Sequence, residues 1–373
     1  MAVMHIVSFN IPFPPDQGGL IDVYAKVKSL KAAGVEIIFH AFTYNRYSAD
    51  ALKELCKEVH LYPRKKSAGS LLSPIPFIVR SRDAADLWTR INADDYPVLL
   101  EGLHSCYGLF RDKIRKDKEV WVRTHNIEHA YYEGLAKAEG KLWKKLFFYT
   151  EAWKLKKFEK VLQKANGIFC IAESEKNHYS KWNKRVEWIS AFHMQNKVSS
   201  PSGKGKYAFY HGSLDVAENN KAALWLLDEV FQKSRIPLII AGNNPSKLLQ
   251  KRCKEMPHIS LKSGLTYSEM QELIKEAHVH VLPTFQNTGV KLKLLHALFQ
   301  GRFCLVNTPM VEGTGLESYC RVANNADDFR NALEELMTKN FDQSEIEKRR
   351  ELENSAFSNK TNAAKIISAL RLH

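Results

Sequence analysis

Short apolar runs alternate with helix-like segments along the first half of the chain. The runs are HIVSF, VEIIFHAF, EVHLY, PVLLEG, EVWVRT and GIFCIA, and their β-branched and aromatic residues are typical of buried strands. The first intervening segment predicts a helix from about Leu20 to Ala33, with Gly34 as a left-handed stop. This alternation predicts a parallel sheet with crossover helices.

A stretch rich in Ser, Pro and Gly interrupts the pattern near the middle of the chain. Residues 197–206 include VSSPSGKG, which has no apolar periodicity and therefore predicts a linker. After it the alternation resumes with the runs YAFYHG, PLIIAG, HISLKSG, HVHVLP and RFCLVN. We therefore predict an α/β fold of two Rossmann-like, doubly wound parallel-sheet domains that face a cleft.

The predicted boundaries follow from these breaks. The first domain spans residues 1–196 and the second spans residues 207–355. Residues 356–373 contain the amphipathic segment NAAKIISALRL, which predicts a helix that packs back on the first domain. A chain of 373 residues is long enough for two such domains.

Composition agrees with a folded, water-soluble chain, because 45% of the residues are hydrophobic and 26% are charged. No apolar run approaches the roughly 20 residues of a membrane-spanning helix, and the start MAVMHIVSFNIPFPP lacks the features of a secretory signal. The six cysteines are scattered singly and show no zinc-ligand spacing. We therefore expect a cytoplasmic protein with reduced thiols.

The formal net charge of +14 is concentrated in part between Lys141 and Lys164, where eight lysines accompany two glutamates. Apolar residues recur there at helical spacing: Leu142, Leu146, Tyr149, Trp153, Phe158, Val161 and Leu162. The main interpretation is a helix that packs this stripe while its lysines stay in water. The alternative is a helix on an anionic membrane surface, which would make the protein peripheral to the inner face of a membrane.

Two loops of the first half stand at predicted carboxyl ends of strands, where ligands bind in open α/β sheets. NIPFPPDQGG brings Gly18 and Gly19 to the start of a helix, where backbone N–H groups can meet a ligand or where glycine simply permits a tight turn. RTHNIEHAYY carries the other polar groups: Arg123, His125, Asn126, Glu128 and His129. A hydroxyl-rich ligand could satisfy them, although Asn126 could also cap the next helix with Glu128 in its first turn.

The segment HVHVLPTFQNTGVKLKLLHALFQGRFCLVN predicts a strand, a polar loop, a helix and a second strand. The first turn of the helix, near Thr288 and Gly289, presents free N–H groups and the positive end of the helix dipole, which suit a diphosphate. Lys291 and Lys293 are two residues apart and cannot share one face, and Lys293 is the better placed because it lies near His296 on the helix.

The motifs PFPPDQGG, THNIEHAYY, FYHGSLDVAENNKAALWL and TGVKLKLLHALFQG together resemble the retaining family 4 glycosyltransferases of the GT-B fold, in the same order and over nearly the whole chain. The resemblance implies a transferase of polysaccharide biosynthesis that moves a sugar, with retention, from a nucleotide-diphosphate sugar to a glycan or lipid-linked acceptor. It implies no metal and no cofactor besides the donor, with the donor on the second domain and the acceptor on the first.

Residue by residue, the resemblance assigns Gly18 and Gly19 to the donor phosphate and acceptor, and His125 to the reacting sugar, as the catalytic residue. The resemblance implies donor contacts at His211, Gly212, Ser213 and Lys293. We also expect donor contacts at Asn126, Glu128, Asn243, Thr288, Gly289 and His296. The sequence departs from the family at Thr288 and His296, where relatives commonly carry glutamates. We expect His296 to replace the glutamate that contacts the ribose, or else to pack as a core histidine.

Other chemistries find no motif. The sequence has no Walker A segment, G-x-S-x-G elbow, H-E-x-x-H or full G-x-G-x-x-G, and no D-x-D pair for a metal-dependent sugar transfer. Nucleic-acid binding has only the net charge in its favour, so we expect no nucleic-acid partner. Two alternatives remain, namely a sugar-nucleotide epimerase of the same fold and a non-catalytic protein that binds sugar nucleotides or glycans.

Overall fold

The computed structural model describes residues 2–44, 46, 48–65, 73–285 and 292–372. The chain forms two compact units. The first contains residues up to Met194 together with the segment from Ala356, and the second contains the described residues from Gln195 to Ser355. No helix of the described residues is long and apolar enough to cross a membrane.

The first unit is built on a parallel sheet of seven strands in the order β3-β2-β1-β4-β5-β6-β7. Its strands are β1 (Val3–Ser8), β2 (Glu36–Thr43), β3 (Glu58–Pro63), β4 (Val98–Glu101), β5 (Val120–Arg123), β6 (Gly167–Cys170) and β7 (Val186–Trp188). Its helices up to Met194 are α1 (Gly18–Ala32), α2 (Asp50–Lys53), α3 (Phe77–Arg80), α4 (Ala85–Ile91), α5 (Tyr107–Phe110), α6 (Glu128–Ala138), α7 (Leu142–Phe158) and α8 (Lys176–Tyr179).

The second unit holds a parallel sheet of six strands in the order β10-β9-β8-β11-β12-β13. These are β8 (Ala208–His211), β9 (Leu238–Ala241), β10 (Ile259–Lys262), β11 (Val279–Leu282), β12 (Phe303–Val306) and β13 (Arg321–Val322). The helices are α9 (Ala217–Trp225), α10 (Lys247–Lys254), α11 (Tyr267–Glu276), α12 (Leu292–Gln300), α13 (Thr308–Val311), α14 (Ala326–Thr338) and α15 (Gln343–Arg350).

Both sheets confirm the predicted doubly wound α/β class, and each has one edge strand that the sequence prediction missed. Strands β7 and β13 are only three and two residues long, too short to show a pattern of their own. The first helix begins at Gly18 rather than near Leu20, and Gly34 has the predicted positive φ of 86°.

The last helix, α16 (Asn359–Ala369), packs on the first unit, as predicted. Ala363, Ile366 and Leu370 belong to the same buried cluster as residues of β1, β2 and α1. Polar contacts add to this packing, because the Asn359 side chain exchanges hydrogen bonds with the backbone of His193.

The segment predicted as a linker is tied to the second unit by backbone hydrogen bonds. Ser199 N donates to Phe299 O (2.7 Å), and Gly203 N donates to Phe341 O (2.8 Å). These hydrogen bonds hold the backbone of the predicted linker, residues 197–206, against the second unit.

Helix α7 and the turn after it correct part of the main interpretation of the basic segment. Phe158, Val161 and Leu162 of the predicted packing stripe are buried, whereas its first four residues, Leu142, Leu146, Tyr149 and Trp153, are exposed. The helix buries Glu151, Ala152 and Leu155 instead. The helix has apolar residues on two faces. The face that packs on the rest of the first unit is the one with Ala152, Leu155 and Phe158, whereas the spacing favoured the face with Leu142, Leu146, Tyr149 and Trp153.

Candidate functional site

In the second unit, the loop after β8 lies at the carboxyl edge of the sheet and packs closely on the loop after β9. A Cβ at Gly242 would lie 1.9 Å from the carbonyl oxygen of Gly212, so only glycine fits at position 242. Gly212 in turn lies against the Asn219 side chain, which donates a hydrogen bond to Ser213 O (3.0 Å). The predicted residues His211, Gly212 and Ser213 thus form one ordered loop.

Lys293, near the described start of α12, reaches this loop through Asn219. Its Nζ donates to Asn219 Oδ1 (2.7 Å) and lies 3.5 Å from the Tyr210 hydroxyl. The ammonium also lies 5.1 Å from the centre of the Tyr210 ring, within cation–π range. Both of these partners, Asn219 and Tyr210, are neutral groups that hold the ammonium in place.

His211 is buried beside Lys293. Burial lowers the pKa of His211 well below its usual value, and the nearby His280, His296 and Lys293 lower it further. Its Nε2 is buried and has no hydrogen-bond partner among the described residues, which is costly unless a ligand supplies one. A neutral imidazole beside an ammonium can donate or accept a hydrogen bond without adding charge.

His296 lies in the same neighbourhood and is only 8% exposed. The residue that follows its helix, Gly301, lies against a second histidine. A Cβ at Gly301 would lie 2.0 Å from His280 Nε2. Burial lowers the pKa of His280 to about 3, so that imidazole is neutral. The structure brings His211, Lys293 and His296 together.

Asn243 has a structural partner at the next strand end. Its Oδ1 accepts a hydrogen bond from Gly264 N (3.0 Å), and its backbone oxygen accepts one from Leu214 N (3.1 Å). The residue therefore joins the loops that follow β8, β9 and β10. Thr288, Gly289 and Lys291 lie outside the described residues.

In the first unit, His125 lies beyond the carboxyl end of β5 and is 8% exposed. Its Nε2–H donates to Glu101 Oε2 (2.9 Å). In the neutral form of the ring, that bond leaves the lone pair on Nδ1. Nδ1 has no hydrogen-bond partner among the described residues, the nearest carboxylate oxygen being that of Asp22 at 3.9 Å.

A buried ion network fixes Glu101 and Asp22 around His125. The Lys26 ammonium bridges the two carboxylates, at 2.7 Å from Glu101 and 2.9 Å from Asp22, and Arg123 pairs with Asp22 at 3.0 Å. Burial alone would raise the pKa of both carboxyls. Arg123 and Lys26 nevertheless hold the pKa of Asp22 well below its usual range, and Lys26 with His125 lowers the pKa of Glu101. Both acids are therefore ionised.

Gly18 and Gly19 open α1 on the same side of the sheet as His125. A Cβ at Gly19 would lie 3.1 Å from the Phe9 ring and 3.8 Å from His125 Nδ1. The Phe9 ring meets the imidazole edge to face, with 5.5 Å between the ring centres. Glycine at position 19 therefore lets the loop approach the free side of His125.

Asn126 does not cap α6, so the structural alternative for this residue is wrong. The helix begins at Glu128 and has Ile127 as its N-cap, with no side-chain hydrogen bond there. The backbone oxygen of Asn126 instead accepts a hydrogen bond from the Tyr179 hydroxyl (2.7 Å). The Asn126 side chain is half-buried.

Glu128 lies in the first turn of α6, as predicted, but it is buried among other carboxylates. Burial, together with the nearby Glu175 and Glu159, raises the pKa of Glu128 to about 8 against the opposing effect of Arg82. At neutral pH the group is a protonated acid that can donate a hydrogen bond.

Two side-chain groups of the described residues could hold a metal ion: Asp22 with Glu101 and His125, and His129 with Glu159 and His178. In the first group the Lys26 ammonium already sits against both carboxylates. In the second, His129 and His178 each donate to a different oxygen of Glu159, at 2.7 Å and 3.0 Å. The carboxylate oxygens of both groups therefore already have partners within the protein.

Sequence reasoning missed Asp22, Lys26 and Glu101. Asp22 and Lys26 are four residues apart on α1 and fall within its otherwise apolar buried stripe with Val23 and Val27. Glu101 ends the apolar run of β4. Charged residues inside a buried pattern are the signal that could have identified all three.

Residues 205–339 match the family model described as "Glycosyl transferases group 1". A Klebsiella pneumoniae protein described as "Uncharacterized 44.6 kDa protein in cps region" is 24% identical over 333 residues, which cover 84% of this chain and 85% of that protein. The described part of the matched stretch lies in the second unit.

Solved structures share the fold at low sequence identity. Sucrose-phosphate synthase from Thermosynechococcus elongatus has a TM-score of 0.68 and 12% identity, with 100% of this chain and 98% of that chain covered. Arabidopsis thaliana UGT89C1 complexed with UDP-L-rhamnose has a TM-score of 0.58 and 13% identity, with 98% of each chain covered. Together with the two parallel sheets, these similarities show the predicted two-domain, Rossmann-like GT-B fold.

Proposed function

We propose that this chain is a retaining glycosyltransferase that moves a sugar from a nucleotide-diphosphate sugar to a glycan or lipid-linked acceptor, without a metal. The observation that carries the proposal is the match of residues 205–339 to group 1 glycosyl transferases. That stretch includes both Lys293 and the loop at His211. The UDP-L-rhamnose complex of a protein with this fold supports the donor class, and the relative in a cps region supports a role in polysaccharide biosynthesis.

The donor diphosphate is proposed to bind at Lys293 and the backbone of the loop that includes Gly212 and Ser213. As the bond from sugar to phosphate breaks, the leaving nucleotide diphosphate gains negative charge. An ammonium that Asn219 and Tyr210 already hold in position stabilises this charge without reorganising first. Such a fixed cation does what a divalent metal does in D-x-D enzymes, so we expect no metal requirement.

His125 is proposed to act on the sugar or acceptor from the first unit. Glu101 accepts from Nε2–H and so fixes the tautomer in which Nδ1 can accept a hydroxyl hydrogen bond. In that position the imidazole orients a hydroxyl and can take its proton as the new glycosidic bond forms. Gly18 and Gly19 have no side chains, so they leave room for the sugar or acceptor beside the His125 imidazole.

The test is incubation of the full chain with a panel of radiolabelled sugar nucleotides, with and without a lipid or glycan extract as acceptor and with chelator present. We expect acceptor-dependent incorporation of label from one donor, and none from Lys293→Ala or His125→Ala. A thermal-shift screen selects the donor first, because a ligand at ~100 times its dissociation constant stabilises the fold by about 2.7 kcal/mol. Incorporation that requires added metal would contradict the proposed mechanism.

A non-catalytic sugar-nucleotide-binding protein is the second candidate, favoured by Thr288 and His296 where relatives commonly carry glutamates. Donor binding with neither transfer nor hydrolysis would establish it. Release of C2-inverted sugar nucleotide without acceptor would instead establish the epimerase.

His296→Ala separates the two roles proposed for that histidine. Loss of donor affinity with an unchanged melting temperature supports a ribose contact. Unchanged affinity in a variant that melts at a lower temperature assigns His296 to the core.

A further inference from the structure

Helix α7 carries a continuous apolar face that is open to solvent. The exposed fractions are 84% for Leu142, 66% for Leu146 and 57% for Trp153, and Trp143 and Tyr149 are also exposed. At about 100° per residue, Leu142, Leu146, Tyr149 and Trp153 fall within about 60° of one another around the helix. They form one stripe about 17 Å long.

This stripe is not the face that holds α7 in the fold. The buried residues Glu151, Leu155 and Phe158 lie on the opposite side of the helix. Phe148 meets Tyr132 of α6 edge to face, with 6.0 Å between the ring centres. The buried side of α7 already attaches the helix to the first unit. The large apolar residues on its exposed side therefore do not contribute to this packing, and an exposed apolar patch of this kind is typical of an interaction site.

The charge around the stripe is positive. The lysines of the segment are Lys141, Lys144, Lys145, Lys154, Lys156, Lys157, Lys160 and Lys164. Its two acids, Glu151 and Glu159, are 0% and 1% exposed, so the surface of the segment presents only cations. Lys156 and Lys157 border the stripe on either side, and the Lys157 ammonium lies 3.6 Å from the centre of the Trp153 ring.

We propose that this outer face of α7, formed by Leu142, Trp143, Leu146, Tyr149 and Trp153 with the flanking lysines, docks on an anionic lipid bilayer. The leucines and tryptophans enter the boundary between headgroups and acyl chains, where Trp and Tyr are enriched in membrane proteins. The lysines extend along the apolar surface to the lipid phosphates. A helix that lies in the membrane plane needs this combination of an apolar stripe and cationic edges.

A bilayer fits these observations better than a protein partner does. At 100° per residue, Lys145 and Lys156 lie along one edge of the stripe and Lys157 lies along the other, which suits an anionic surface. A protein partner would have to present an apolar groove with acidic rims on both sides. The docking surface does not depend on the transfer reaction, so it is tested without donor or acceptor.

The test is sedimentation of the full chain with vesicles of phosphatidylcholine, with and without phosphatidylglycerol. We expect binding to the anionic vesicles only, weakened at least about tenfold as ionic strength rises from about 0.05 M to about 0.5 M. Leu146→Ser with Trp153→Ser should weaken binding at least about tenfold at low salt, since each removes one inserted apolar side chain. Lys156→Glu with Lys157→Glu should do the same.

Helix α10 supplies a matched control, because its Leu248 is 55% exposed and is accompanied by Lys247, Lys251 and Lys254. Leu248→Ser with Lys251→Glu makes the same kind of change elsewhere and should leave vesicle binding unchanged. Circular dichroism confirms that each variant is folded.

Two results would overturn the proposal: no sedimentation with anionic vesicles at low salt, or equal loss of binding in the α7 and α10 variants. A dimer that the Leu146→Ser/Trp153→Ser variant abolishes, without vesicle binding by the native chain, would identify the face as a contact between copies. Vesicle binding without sugar transfer would refute the proposed function and leave the docking surface intact.

Discussion

Replacing Glu128 with glutamine tests whether this buried carboxyl is protonated in the folded protein at neutral pH. Burial first, and then repulsion from Glu175 and Glu159, raises its pKa from the ordinary 4.5 to about 8. At pH 7 the folded chain therefore carries a neutral acid where the unfolded chain carries a carboxylate, so folding takes up a proton.

The sign and size of the effect follow from these two pKa values. Below pH 4.5 the group is protonated in both states and has no effect. As pH rises, the unfolded chain ionises first, so the free energy of unfolding falls by about 1.4 kcal/mol per pH unit until the folded group also ionises near pH 8. The total loss is on the order of 5 kcal/mol.

Glutamine is neutral in both states, so Glu128→Gln should lack this loss. Urea unfolding should be measured from pH 4.5 to about 8. As pH rises, the free energy of unfolding of the variant should increase relative to that of the native chain, by on the order of 3 kcal/mol at about pH 7. Glu133→Gln, on the same helix, controls for the loss of one negative charge. Parallel curves for the native chain and Glu128→Gln would refute the reasoning, because they would mean that the buried carboxyl is ionised in the fold.

Three further variants test individual contacts. Lys293→Ala should weaken binding of the cognate sugar nucleotide by about 10- to 100-fold in calorimetry, as expected for a charged hydrogen bond; unchanged affinity would remove Lys293 from the donor site. Asp22→Asn should lower the free energy of unfolding by about 3–5 kcal/mol in urea, because Arg123 loses its buried counter-ion; a loss below about 1 kcal/mol would mean that the network is solvated. Gly301→Ala should destabilise the fold by about 1–3 kcal/mol through its clash with the imidazole of His280, and adding His280→Ala should restore most of that loss if the clash is the cause.

The class and order of the elements could be predicted because the strands of a parallel sheet are buried on both sides and form nearly continuous apolar runs. Strands β7 and β13 could not, since a strand of two or three residues at a sheet edge carries no periodicity. Helix α7 shows a different limit. Its apolar residues repeat on two faces, and spacing alone does not tell which of them finds a partner in the fold.

The candidate site shows the same division between local and long-range information. His125 and Lys293 follow strands or begin helices, so local pattern identified them. Glu101 and Asp22 matter because the sheet order places β4 beside β5, and α1 over them, and residues far apart in sequence then share one buried network. The local sequence pattern does not show which of these residues pair in the fold. Charged residues within an apolar stripe nevertheless indicate that a buried ion network is present.

The two units differ in how they balance charge, and this difference fits their proposed ligands. Around His125, the carboxylates Asp22 and Glu101 face two cations, so the network has no net charge and offers a neutral sugar only hydrogen-bonding groups. In the second unit, Lys293 rests on the neutral Asn219 and Tyr210, beside histidines whose pKa values burial lowers. A diphosphate that pairs with the Lys293 ammonium gains an electrostatic attraction that a neutral ligand would not. This difference in charge agrees with the proposal that the anionic donor binds the second unit and the hydroxyl-rich ligand binds the first.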